Sequence, residues 1–158
     1  MNKALDKLNE QLSFEYESAY IYKQMEIFAD GYDLPGFAHW LGKQSMEEVE
    51  HAEKMKSFLL DVGYDVKLLE MSTPKNDYKD IHEVIQTAYE HEKEVTRRIH
   101  EIANLAKEED KRVYSFIQWY IDEQVEEEAN FSHLLAMLER AKGNWGGMYI
   151  IDGQLASR

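Results

Sequence analysis

Only two prolines occur in this 158-residue chain, Pro35 and Pro74, and neither interrupts the four long stretches in which apolar residues recur at three- and four-residue steps. A proline inside a helix removes a hydrogen bond and clashes with the preceding turn, so stretches without one can be continuous helix. Up to Gly31 the chain contains neither Gly nor Pro. "DGYDLPG" breaks it, with Pro35 suited to the first turn of a second helix that runs to about Val62 and stops at Gly63. "YDVKLLEMSTPKND" follows without a helical period. Asp80 with Glu83 reads as a capping box opening a third helix to about Lys107. "EED" is the only candidate turn before a fourth, from about Asp110 to Lys142, and "GNWGG" ends it.

Helices of about 25–30 residues are long against a globular mean of about 11–12. The short links at 31–34 and 108–109 make helices one and two, and three and four, antiparallel hairpins. The link from Gly63 to Lys79 is long enough to cross the full length of a bundle. The chain is therefore expected to be all-α and a single domain over 1–158: a four-helix bundle over about 1–142, one long crossover between helices two and three, and a short C-terminal helix over about 146–155. The tail residues Met148, Tyr149, Ile150, Ile151 and Leu155 have no place in a filled four-helix core, which predicts burial against other subunits.

The inward stripe of each predicted helix is mainly apolar, and each is interrupted near its middle by a carboxylate. Helix one gives Leu5, Leu8, Leu12, Glu15, Ala19 and Tyr22; helix two gives Phe37, Leu41, Gln44, Glu48, His51, Met55, Phe58 and Val62. Helix three gives Ile81, Ile85, Ala88, Glu92, Val95, Ile99 and Ile102. Helix four gives Val113, Phe116, Tyr120, Gln124, Glu127, Phe131, Leu134 and Leu138. Glu15 and Glu48 lie about 17 and 16 residues either side of the first turn; Glu92 lies about 16 before the second, with Gln124 and Glu127 about 16 and 19 after it. At about 1.5 Å per residue these positions share one layer. Four buried carboxylates cannot all stay ionised without positive charge, and no Lys or Arg occupies a stripe at that level, which leaves protons or metal ions.

One histidine among carboxylates is a hard, oxygen-rich donor set that suits iron or manganese better than copper. Glu48 and His51, at i and i+3, can hold a common ion, and two ions sharing a bridging Glu would engage all six groups. Taken singly, Glu48-x-x-His51 is what any acidic helix surface carries; the coincidence of four helices is what points inward. Di-iron carboxylate bundles use a Glu from two helices and Glu-x-x-His from the other two. Here helix four offers Gln124-x-x-Glu127 instead. Glu10, Glu17, Glu26, Glu53, Glu90, Glu94, Glu108 and Glu109 read as a solvated face, and His39, His82, His91, His100 and His133 as surface or packing residues. Glu47, Glu123 and Glu126 neighbour the layer and are candidates for an outer cation site. Tyr22, on the face of Glu15, is placed at the edge of the layer.

The chain carries 31 acidic and 18 basic residues, a formal net charge of −13, which disfavours nucleic acid and anionic membrane surfaces and favours cations as partners. With no cysteine, it has no disulfide, thiolate metal site, iron–sulfur cluster or thiol nucleophile. "MNKALDKLNEQLSF" lacks an apolar signal core and no run reaches a membrane span, so the expected location is the cytoplasm.

Along essentially its whole length the chain resembles the bacterial non-haem ferritins. The matching elements are "KLNEQLSFE" ending at Glu15, Tyr22, "KQSMEEVEH" with Glu48 and His51, "YEHE" ending at Glu92, and "FIQWYIDEQVEEE" with Gln124 and Glu127. The resemblance implies a ferritin-like bundle that stores iron and acts as a ferroxidase, oxidising Fe(II) to Fe(III) with O2 or H2O2. It implies that Glu15, Glu48 and His51 hold one iron and that Glu48, Glu92 and Glu127 hold the second, with Gln124 close by. Glu47, Glu123, Glu126 and Glu127 correspond to a third, weaker site facing the interior, and Tyr22 to a tyrosine beside the ferroxidase centre. A homo-oligomeric shell of 24 subunits is implied as well. Haem is not expected: bacterioferritins carry a second Glu-x-x-His in place of Gln124-x-x-Glu127 and a haem-ligating Met where this chain has Val49. Two rival readings remain open: a carboxylate-bridged oxidase, peroxidase or catalase without mineral, and a metal-buffering bundle without catalysis.

Overall fold

A computed structural model describes residues 1–158 as five helices and no strand: α1 Lys3–Gly31, α2 Pro35–Asp61, α3 Ile81–Glu109, α4 Lys111–Ala141 and α5 Trp145–Leu155. The helix ends follow from local chemistry. Asn2 caps α1 by accepting from the Leu5 N–H at 3.1 Å. Asp110 alone separates α3 from α4; its carboxylate accepts from the Arg112 N–H at 3.0 Å and from the Asn2 side chain at 2.8 Å, tying the start of α1 to that turn. Asp80 caps α3 through the Glu83 N–H at 2.8 Å. The capping box is only half formed, because the Glu83 carboxylate takes the Lys79 N–H at 2.7 Å and not that of Asp80.

The crossover between α2 and α3 is an extended strap laid along α1. Four polar side chains on one face of α1 hold it in order. Asp6 accepts from the Tyr64 hydroxyl at 2.8 Å, and Asn9 bonds both the N–H and the C=O of Lys67 at 3.1 and 2.9 Å. Ser13 Oγ accepts from the Leu69 N–H at 3.0 Å, and Glu17 from the Ser72 N–H at 2.6 Å. Backbone groups of a segment without ladder partners are thereby satisfied by side chains. The assignment of Glu17 to a solvated face is corrected, since Glu17 is half-buried and fastens the strap; Glu109 stays exposed while accepting from the Ala4 N–H at 3.1 Å.

The strap runs in the direction of α1, so α3 begins at the end where α2 began, and the two hairpins pack with α1 against α3. The apolar interior falls into two clusters. One holds Tyr22, Met25, Phe37, Leu41, Ile85, Phe131 and their neighbours; the other holds Leu8, Leu12, Met55, Leu59, Ile99, Ile117 and theirs. Between them lies the polar layer.

The expected short C-terminal helix forms, but two of its apolar residues find their partner within the chain and not on another subunit. Met148 and Ile151 join the chain's own core, while Tyr149 and Ile150 stay exposed. Room exists because the second residue of α2 is a glycine: a Cβ on Gly36 would lie 1.7 Å from the Asp152 carbonyl oxygen. Leu34, the N-cap of α2, offers no side-chain acceptor, and Asp152 supplies one from α5 by accepting the Phe37 N–H at 2.8 Å. Asp152→Ala should cost about 1 kcal/mol, the usual worth of a helix N-cap, read from chemical denaturation. Gly36→Ala should do more, because it expels α5 as a unit, and limited proteolysis should then cleave the chain beyond residue 141.

Candidate metal centre

The layer between the two apolar clusters contains Glu15 from α1, Gln44, Glu48 and His51 from α2, Glu92 from α3, and Gln124 and Glu127 from α4, none more than 6% exposed. The structure brings together the six groups that the inward stripes predicted. Their helices deliver them to one level because both hairpin turns are short and the strap resets α3 to the starting end.

Three overlapping donor groups have ligand atoms within 4.8 Å of one another: Glu15–Glu48–His51, Glu48–Glu92–Glu127, and His51–Glu123–Glu127. Glu48 belongs to the first two. His51 Nδ1 lies 3.3 Å from Glu48 Oε2 and 3.9 Å from Glu15 Oε2, while its Nε2 faces Glu123 Oε2 at 3.5 Å. The ring is wedged edge-on against Trp119 and Tyr120, and the Tyr120 hydroxyl donates to the His51 carbonyl oxygen at 2.6 Å. Tyr22 reaches the layer from α1 as expected: it is buried, and its hydroxyl donates to Glu92 Oε1 at 2.5 Å. Gln124 Nε2 donates to Glu92 Oε2 and to the Glu92 carbonyl, both at 3.1 Å, and to Thr96 Oγ1 at 3.0 Å. With its nitrogen turned this way, Gln124 steadies Glu92 as a donor.

Two glutamines, Gln11 and Gln44, tie the remaining carboxylates. Gln11 Nε2 donates to Glu15 Oε1 at 3.0 Å, and Gln44 Nε2 donates to Glu48 Oε1 at 3.0 Å and Glu127 Oε2 at 2.8 Å. Gln44 sits on the α2 stripe one turn before Glu48, so its inward position was readable; which carboxylates it would join was not. Each carboxylate thus has at least one oxygen tied by a neutral donor, and Glu92 has both. Glu15 Oε2 is buried with no hydrogen-bond partner at all, and it faces the His51–Glu48 side of the layer. An unpaired carboxylate oxygen in an oxygen-rich cage is what a hard cation such as iron would satisfy.

Protonation tells the same story. Glu15 is pushed well above the ordinary carboxylate value of 4.5, first by burial and then by Glu48. Burial and then the charge of Glu92 push Glu48 well up. Burial raises Glu92 to about 7 in spite of the hydrogen bonds from Tyr22 and Gln124. Glu127 rises to about 8 through burial and then the charges of Glu92 and Glu47. In a layer without cations, protons take their place.

The outer acids are arranged differently. Glu123 is 25% exposed at its side chain and Glu126 is exposed, and burial raises the pKa of Glu123. Glu47 is half-buried and ion-paired with Arg158 at 3.0 Å. Glu50 and Val49 are exposed. His91 packs on Phe14 and Tyr22 with Nε2 2.7 Å from Ser18 Oγ, and burial lowers its pKa to about 4, so it is a neutral packing residue at physiological pH. No helix is long and apolar enough to cross a membrane.

Residues 5–141 match the family model described as ferritin-like domain. Over 151 residues the chain is 35% identical to a probable bacterial non-heme ferritin-like protein of Haemophilus influenzae, covering 95% of this chain and 92% of that one. It is 32% identical over 154 residues to the bacterial non-heme ferritin of Escherichia coli, covering 97% and 93%. Among solved structures, an open pore ferritin from Archaeoglobus fulgidus superposes with a TM-score of 0.97 at 36% identity, covering 100% of this chain and 98% of that one.

The raised carboxylates predict a pH dependence. Folded chains keep protons that unfolded chains release above the ordinary value of 4.5, so the stability of metal-free protein falls as pH rises through about 7 to about 8. After chelator treatment and its removal, the melting temperature should be lower at pH 8 than at pH 5.5, and added Zn(II), which does not change oxidation state, should restore it at pH 8.

Proposed function

The chain belongs to the ferritin family, and from that premise we propose that it stores iron, taking up Fe(II), oxidising it with O2 or H2O2, and keeping the Fe(III) as a ferric oxide mineral inside a shell of its own copies. The observation that carries this reading is the pair of donor groups Glu15–Glu48–His51 and Glu48–Glu92–Glu127, which overlap at Glu48 inside a core without cations. As substrate, one Fe(II) is held by each group, with Glu48 between them.

Three properties of the chain's own residues serve the oxidation. The two apolar clusters on either side exclude bulk water and so strengthen each charge interaction. Carboxylates lose their protons as the ions arrive, and their negative charge favours Fe(III) over Fe(II). The balance is two Fe(II) giving two electrons, with O2 and two protons giving H2O2, or H2O2 and two protons giving two waters. Protons displaced from Glu15, Glu48, Glu92 and Glu127 are available at the reacting atoms. Tyr22, Gln124, Gln44 and Gln11 hold the carboxylates in place. Glu47, Glu123 and Glu126 form the acidic path by which iron leaves the layer toward the interior. The shell has 24 subunits of one domain each, lies in the cytoplasm, and works without haem.

The test is Fe(II) loading under anaerobic conditions followed by oxygen. Glu48→Ala with His51→Ala should lose the fast phase and oxidise iron no faster than buffer does. Wild-type kinetics in that double variant would remove these residues from the chemistry. A wild-type protein that turns over oxidant while remaining a monomer or dimer with no electron-dense core would favour a soluble oxidase over storage.

A further inference from the structure

Arg158 lies in none of the donor groups, yet it is the charged side chain that reaches closest to the layer from outside. One guanidinium nitrogen donates to the Trp40 carbonyl oxygen at 2.8 Å. The other donates to Gln44 Oε1 at 3.0 Å and stands 3.0 Å from Glu47 Oε2. The plane of the group covers the Trp40 ring, 4.7 Å from its centroid, and the His39 ring N–H meets the Arg158 carbonyl oxygen at 3.1 Å. A planar fork with several fixed donors can make these contacts together where a lysine ammonium cannot.

Gln44 is 1% exposed, and both ends of its amide are engaged, the nitrogen donating twice and the oxygen accepting once. Its nitrogen spans Glu48 and Glu127, two members of one donor group, and its oxygen meets Arg158. The opposite orientation of the amide would set its nitrogen against the Arg158 guanidinium, donor against donor, so the charge of Arg158 fixes which way it faces. We infer that Arg158 is a positioning residue for the metal layer, acting through Gln44 on the spacing of Glu48 and Glu127. Its charge repels an incoming cation little, because the nitrogen that holds Gln44 is paired with Glu47. Arg158 follows the end of α5 by three residues, its N–H bonded to the Leu155 carbonyl at 3.3 Å, and α5 is seated on α2 by Asp152 and Gly36. The seating of the C-terminal helix and the geometry of the layer are therefore linked along one face of α2, from Gly36 through Trp40 and Gln44 to Glu48.

This inference rests on the metal-binding reading of the layer, and Co(II) tests the two separately, by titration and by its visible absorption spectrum on the assembled protein. Wild-type protein binding two Co(II) per chain is the reference; fewer than two overturns both readings. Arg158→Ala should assemble and melt as wild type does, but bind the second Co(II) about tenfold more weakly, as loss of a residue that orients a ligand does, and with a changed spectrum. Arg158→Lys should restore this only in part. In a Gln44→Leu background Arg158→Ala should have no further effect, whereas in Glu47→Gln it should keep its effect. Wild-type affinity and spectrum in Arg158→Ala, tighter binding, or an undiminished loss in the absence of Gln44 would overturn the positioning role while leaving the metal layer standing.

Discussion

Four carboxylates buried at one level, with no cation among them, are the constraint on which the rest of the structure depends. An isolated bundle of this length gains nothing in stability from such a layer, since each buried charge costs far more than the apolar residue it replaces. The chain meets that cost with neutral donors. Gln11, Gln44, Gln124 and Tyr22 each hold at least one carboxylate oxygen, and burial leaves the acids protonated until something more positive arrives. The apolar interior is divided in two by this arrangement, so each half must pack well enough alone to keep the layer dry.

Position within the layer is inherited from the connections. A one-residue link at Asp110 and a short link at Tyr32–Leu34 keep each hairpin in register, while the strap fixes the two hairpins relative to each other. Asp6, Asn9, Ser13 and Glu17 fasten the strap at helical spacing, so a loop that reads as irregular is laid in order along α1. Such polar positions on α1 are easily mistaken for a wet surface, because a side chain that bonds a distant backbone group has the same composition as one that bonds water.

Much of the fold was legible, and for a physical reason. Helices make their hydrogen bonds locally, so the absence of proline and the 3.6-residue period located α1 to α4 within a few residues of their observed ends. The inward residues were legible too: Glu15, Glu48, His51, Glu92, Gln124 and Glu127 interrupt apolar stripes, and the structure buries all six. Contacts between side chains far apart in the chain were not. Tyr22 reaching Glu92, Gln44 spanning Glu48 and Glu127, and Asp152 capping α2 each depend on where two helices meet. The tail shows the same limit: its apolar residues called for a partner, and only the open end of the chain's own bundle reveals that Met148 and Ile151 have one.

The sequence by itself determined which segments are helical, which face of each turns inward and at what height each carboxylate stands, because period and count along a helix are one-dimensional quantities. Tertiary structure decided which oxygen faces which donor, that Glu48 lies between two groups while Glu15 Oε2 lacks a partner, and that Arg158 returns to Gln44. Those are matters of rotation and distance between helices, set by packing across the whole bundle, and no local pattern encodes them.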